Sequence, residues 1–168
     1  MKQPPQDRPS ARGLRVAVLC ARFNPAVTDG LREGAVEALR EMGAAATRIA
    51  VFDVPGAFEL PLAAKAAATS GSFDAVVALG AVIRGDTDHY EHVAREAASG
   101  LAAAAFETGV PVAFGVLTVR RARQALVRAA PGPDNKGAEA ARAAVAMVHT
   151  LRAIAGRPAR RPSGRRIR

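Results

Sequence analysis

Between residues 13 and 156 the chain alternates short, continuous apolar runs with longer stretches whose apolar residues recur every three or four positions. The short runs are Leu14–Leu19 (LRVAVL), Thr47–Phe52 (TRIAVF), Ala75–Ile83 (AVVALGAVI) and Val110–Leu117 (VPVAFGVL). Their length and Val content predict buried strands. Asn24-Pro25 reads as an N-cap followed by a proline at the first helical position. Val27, Leu31, Ala35, Leu39 and Met42 then share one helix face, and Gly43 ends it. Pro55-Gly56 predicts a turn. Further helices are predicted over Phe58–Thr69, Asp88–Glu107, Arg121–Arg128 and Glu139–Ala155. Continuously apolar strands separated by helices imply a parallel sheet covered on both faces. Right-handed crossovers then give an α/β fold, a three-layer α/β/α sandwich with a four-stranded parallel sheet, flavodoxin-like in type.

Length and composition narrow this picture. The 168 residues, 49% hydrophobic, suit one domain over residues 13–156. Residues 1–12 carry Pro4, Pro5 and Pro9 and read as a flexible arm. Residues 157–168 read as a basic disordered tail. The net charge of +9 suggests a nucleic-acid binder until it is located. Six of those charges lie in residues 157–168 and two in residues 1–12, which leaves +1 for the body. With 4% aromatic residues and no Trp, a stacking platform for single strands is weakly supported, and specific nucleic-acid recognition is not expected. The one cysteine, Cys20, excludes an internal disulfide framework and a Cys-based zinc cluster. No apolar run approaches the roughly 18 residues that span a bilayer, and the first residues hold no apolar signal segment. A cytoplasmic protein without membrane attachment is the expectation.

In a doubly wound sheet, ligands bind beyond the carboxyl ends of the strands. Three unusual clusters fall there: Arg22-Phe23-Asn24, Val54–Glu59, and Arg84–His89. In the third, Gly85, Asp86 and Thr87 would present backbone N–H groups at a helix start, which suits phosphate. The same stretch also reads as an ordinary capped turn, with Asp86 or Thr87 as the cap. His89 lies nearest a strand end among the three histidines, and imidazole suits proton transfer near neutral pH. His89 and His92 have a metal-compatible spacing, yet no third ligand is evident, so no metal is expected. Phe23 is either a hydrophobic staple, the commoner reading of such a Phe, or an exposed stacking surface. Glu59 either favours the first turn of a helix or accepts from ligand hydroxyls. Arg128 and Lys136 flank Pro131-Gly132-Pro133-Asp134 and form either an anion clamp or a solvated charged loop.

Five stretches together resemble the lumazine synthase family over about residues 14–152. They are ARFN (Ala21–Asn24), VPGAFELP (Val54–Pro61), GAVIRGDTDHYE (Gly80–Glu91), PVAFGVLT (Pro111–Thr118) and NKG (Asn135–Gly137). The resemblance implies 6,7-dimethyl-8-ribityllumazine synthase activity, the penultimate step of riboflavin biosynthesis. In it, 5-amino-6-(D-ribitylamino)uracil condenses with 3,4-dihydroxy-2-butanone 4-phosphate, releasing phosphate and water without a cofactor. It implies that Phe23 stacks on the pyrimidine with Asn24 beside it. Ala57, Phe58 and Glu59 would hold the ribityl chain, and Ala81, Val82 and Ile83 would contact the uracil. Gly85, Asp86 and Thr87 would cradle the phosphate, and His89 would be the general acid/base. Phe114 and Arg128 would come from a neighbouring subunit, with Arg128 on the phosphate, and Lys136 would lie close to the pyrimidine. The family resemblance further implies a homopentamer with sites at subunit interfaces, the alternative of a sixty-subunit shell, and association with riboflavin synthase.

The chain departs from the family pattern in three places. Ala81 stands where many relatives carry Thr, Val119–Arg123 is unusually basic, and Pro-Gly-Pro-Asp precedes Asn135. The prolines of the arm are also poor residues for the added strand of shell-forming relatives. Two other readings remain beside the enzyme. One is a pocket that stores a flavin or lumazine without the reaction. The other is non-specific polyanion binding through the tails.

Overall fold

The computed structural model describes residues 9–156. The greater part of the arm predicted from the prolines, and the whole Arg-rich tail, lie outside the described residues. Four strands pair in parallel in the order β2-β1-β3-β4, with β1 at Val16–Ala21, β2 at Ile49–Val54, β3 at Ala75–Ile83 and β4 at Val112–Val119. Five helices accompany them: α1 (Pro25–Glu41), α2 (Leu60–Thr69), α3 (His89–Thr108), α4 (Ala122–Ala129) and α5 (Lys136–Ile154). The chain leaves β1 toward β2 on one side and toward β3 and β4 on the other. The direction of winding therefore reverses between β1 and β3, where a crevice opens at the strand ends.

The apolar runs lie where they are predicted, but three strands start two residues later than the runs do. The reason is that burial and pairing are separable. Leu14 is buried, yet its N–H donates to the Ala11 carbonyl at 3.1 Å in a turn. Thr47 belongs to the 3-10 turn Ala46–Arg48. The Val110 N–H is satisfied by the Thr108 hydroxyl at 3.3 Å. The packed body also reaches back into the predicted arm. Ala11 is buried in the core, its N–H donates to the Met42 carbonyl at 2.8 Å, and the His149 ring meets the Ser10 carbonyl at 2.6 Å.

Alternate strand residues feed two cores, one on each face of the sheet. Val16, Val18, Val77, Leu79 and Leu117 pack with α1, α4 and α5. Ala17, Leu19, Val76, Ala78 and Val116 pack with α2 and α3. Fully burying a Leu such as Leu31, Leu60 or Leu101 contributes about 1.5–3 kcal/mol. Among the described residues no helix is long and apolar enough to cross a membrane.

Helix α5 begins three residues earlier than its periodicity predicts, because Asn135 caps it. Its side-chain Oδ1 accepts from the N–H groups of Gly137 (2.9 Å) and Ala138 (3.1 Å). Its Nδ2 donates to the carbonyls of Ala129 (2.8 Å), Gly30 (3.0 Å) and Ala130 (3.1 Å). One buried side chain thus ties α1, the end of α4 and the start of α5. The helices approach closely enough there that a Cβ on Gly137 would run into the Leu31 carbonyl.

Candidate active site

The site is built where β1, β2 and β3 end. Asn24 follows β1 in a left-handed conformation, with φ at 61°, and leads into Pro25. It occupies the cap position of α1 as predicted, but its side chain makes no cap hydrogen bond. The Nδ2 group instead donates to the Ala81 carbonyl on β3 at 2.9 Å. That bond crosses the mouth of the crevice between β1 and β3. Phe23, just before it, is 70% exposed. It is therefore an exposed face rather than a staple, since a staple would be covered by its own helix.

The turn after β2 brings the next residues against Phe23. Ala57–Glu59 form a 3-10 turn, so α2 starts at Leu60, two residues later than predicted. Ala57 is buried and holds the turn to the core, whereas Phe58 is 57% exposed. A Cβ placed on Gly56 would lie 3.0 Å from the Glu59 carboxylate and 3.0 Å from the Phe23 ring. The missing side chain at Gly56 is what lets an aromatic face and a carboxylate converge.

Ala81 and Val82 are buried, and Ile83 is half-buried at the end of β3. Pairing extends one residue further, with the Arg84 N–H donating to the Val119 carbonyl at 2.9 Å. Gly85, Asp86 and Thr87 then form an exposed loop. Among the described residues, their N–H groups donate to no protein atom. Neither Asp86 nor Thr87 caps α3. Asp88 holds that position without a side-chain hydrogen bond, and exposed His89 is the first helical residue. The loop thus leaves free donors at the positive end of a 20-residue helix.

Phe114, Arg128 and Lys136 lie elsewhere. They line a groove of about 350 Å³ along the exposed edge of β4. Phe114 is in register with Ala78, five residues before Ile83, so it sits roughly 16 Å back from the strand ends. It is 46% exposed. Arg128 Nη1 donates to the Gln124 carbonyl at 2.9 Å, and Lys136 pairs with Glu139. Lys136 therefore shares a groove with Phe114 and Arg128, and Phe23 is not among the residues that line it. One chain presents two half-sites: Phe23 to His89 at the strand ends, and Phe114, Arg128 and Lys136 at the edge.

Cys20, on β1, offers no nucleophile. Burial pushes its thiol above the usual range, against the opposing pull of Arg32, and Sγ donates to the Thr28 carbonyl at 3.6 Å. Among the described residues, no three His, Cys, Asp or Glu side chains converge to hold a metal ion. The reading from sequence missed Asn135 as a structural node. An Asn directly before a helix, in line with the cap preference, was the available signal.

The profile of the family described as 6,7-dimethyl-8-ribityllumazine synthase matches residues 13–152. A curated 6,7-dimethyl-8-ribityllumazine synthase from Edwardsiella ictaluri (strain 93-146) is 54% identical over 146 residues, which cover 86% of this chain and 94% of that protein. With both half-sites on the matched stretch, the chain belongs to the 6,7-dimethyl-8-ribityllumazine synthase family.

Proposed function

We propose that this chain condenses 5-amino-6-(D-ribitylamino)uracil with 3,4-dihydroxy-2-butanone 4-phosphate to 6,7-dimethyl-8-ribityllumazine in the cytoplasm. The observation that carries the assignment of residues is the convergence of Phe23, Glu59 and the Ala81 strand end around Gly56 and Asn24. The pyrimidine is flat and polar, so the exposed Phe23 face receives it. Asn24 positions that face by tying β1 to β3. Ala57, Phe58 and Glu59 take the ribityl chain, with the Glu59 carboxylate accepting from hydroxyls. The edges of Ala81, Val82 and Ile83 border the uracil. A hydroxyl is missing at Ala81, but its carbonyl already serves Asn24.

The phosphate is a dianion, and the free N–H groups of Gly85, Asp86 and Thr87 suit it. The amine adds to the ketone and a first water leaves to give an imine. A proton must then leave carbon as phosphate departs, and water is expelled as the ring closes. His89, beside the phosphate loop, moves those protons. Holding two reactants together supplies much of the remaining rate, worth roughly 7–11 kcal/mol for well-oriented partners.

Phe114 lies too far from the strand ends of its own chain to close the site. A second copy supplies Phe114, Arg128 and Lys136, with Arg128 on the phosphate. This supports a homopentamer whose sites span interfaces. The exposed apolar surface around Phe106, which is 88% exposed, and Met147 and Leu151 is consistent with burial between copies.

The test mixes purified protein with both substrates and follows lumazine absorbance. Product should form, and His89→Ala should lower turnover roughly 10²- to 10⁴-fold. Ligand binding without product would overturn the reading in favour of a storage pocket. An unchanged rate in His89→Ala would remove the proton-transfer role.

A further inference from the structure

We propose that Arg120, Arg121 and Arg123 form a cationic antechamber beside Arg128 that takes up dianionic phosphates ahead of the reaction site. The identity of the phosphate substrate rests on the function proposed above; the pocket itself rests on geometry and charge.

Residues 108–133 hold four arginines and no Asp or Glu, within a body whose net charge is only +1. Their side chains gather around one pocket of about 480 Å³, lined by Arg120, Arg121, Arg123, Gln124, Val127 and Arg128. No carboxylate lines it. Elsewhere Arg32, Lys65, Lys136 and Arg152 each have a carboxylate partner. Among the described residues, none of the four pocket arginines has one. The Gln124 Oε1 atom accepts from the backbone N–H groups of Arg120 and Arg121 at 3.0 Å each, so it serves the backbone rather than the guanidinium groups.

The placement also opposes the local field. Arg121 is the N-cap of α4, Arg123 is its second residue, and no acid lies in the first turn. Cations there face the positive end of the helix and one another. An anion in the pocket would reverse the balance, because guanidinium forks match phosphate oxygens.

Two observations select the anion. No aromatic ring lines the pocket, which disfavours a single-stranded nucleic acid that needs stacking. Arg128 lines both this pocket and the groove that holds Phe114 and Lys136. A small phosphate gathered by the cluster therefore passes directly to the residue proposed to bind it in the reaction. A concave site lined by one sign of charge raises the local concentration of such a substrate.

The test is the triple variant Arg120→Gln, Arg121→Gln, Arg123→Gln, with Arg128 intact. At low salt its KM for the butanone phosphate should rise at least about tenfold. The KM for the uncharged pyrimidine substrate and kcat at saturation should hold. The difference should collapse near 1 M salt, where the Debye length is about 3 Å. The corresponding triple Lys variant should retain most of the effect, and the Gln variant should melt no lower than the parent. An unchanged phosphate KM at low salt would overturn the proposal. Loss of oligonucleotide binding with that KM unchanged would overturn it in favour of a nucleic-acid surface. If the parent protein makes no lumazine, calorimetry with inorganic phosphate still decides the pocket. Binding that is salt-sensitive and at least about tenfold weaker in the triple Gln variant supports it; equal binding rejects it.

Discussion

At the scale of single residues, the site depends on what is absent as much as on what is present. Gly56 lies between the Phe23 ring and the Glu59 carboxylate, each 3.0 Å from where a Cβ would stand. That is tighter than ordinary van der Waals contact, so a methyl group must push one of them aside. Gly56→Ala should therefore raise the KM of the pyrimidine substrate, with roughly 1–3 kcal/mol of binding energy at stake, and leave the melting temperature within a few degrees. Steady-state kinetics and a thermal melt check both parts. The positions proposed to carry chemistry were legible in the sequence: Phe23, Glu59 and His89 all follow strand ends as read. The partners of Asn24 were not. Its local pattern, Asn before Pro, favours a helix cap, whereas the fold brings the Ala81 carbonyl within 2.9 Å of its amide. A contact across 57 positions in sequence leaves no trace in local propensity.

At the scale of elements, apolar runs marked the four strands and their order in the chain, and β3 matches its predicted bounds. The other strand starts moved by two residues because hydrophobic burial begins before ladder pairing does. The start of α5 moved further, since its first turn is defined by a cap and not by an apolar stripe. The side chain of Asn135 makes five hydrogen bonds from a buried position and joins α1, the end of α4 and the start of α5. Asn135→Ala should destabilise the fold by about 2–4 kcal/mol. Denaturant unfolding measures this, and a midpoint equal to the parent's would show that the node is dispensable. Lys136 is the next residue, so the same substitution should also weaken its placement in the edge groove.

At the scale of the whole molecule, the charge is segregated rather than diffuse. The body is nearly neutral, yet one pocket at the β4–α4 junction concentrates four arginines. That concentration was visible in the sequence as a basic stretch, but its shape was not, because only the turn into α4 brings those side chains around a common space. The separation of the two half-sites was implied by the family resemblance alone, and its extent within one chain follows from the register that places Phe114 opposite Ala78. It has a genetic consequence. On the proposed arrangement, a chain that lacks His89 and a chain that lacks Arg128 are damaged on opposite sides of an interface. Expressed together in one cell, the two inactive alleles should rescue each other. Random assembly leaves about a quarter of the junctions with both groups intact, each such junction pairing a sound surface from one mutant with a sound surface from the other. Lumazine formation by co-expressed His89→Ala and Arg128→Ala chains should thus recover to about a quarter of the parent activity. Mixtures that stay as inactive as either mutant alone would place the whole site within one chain.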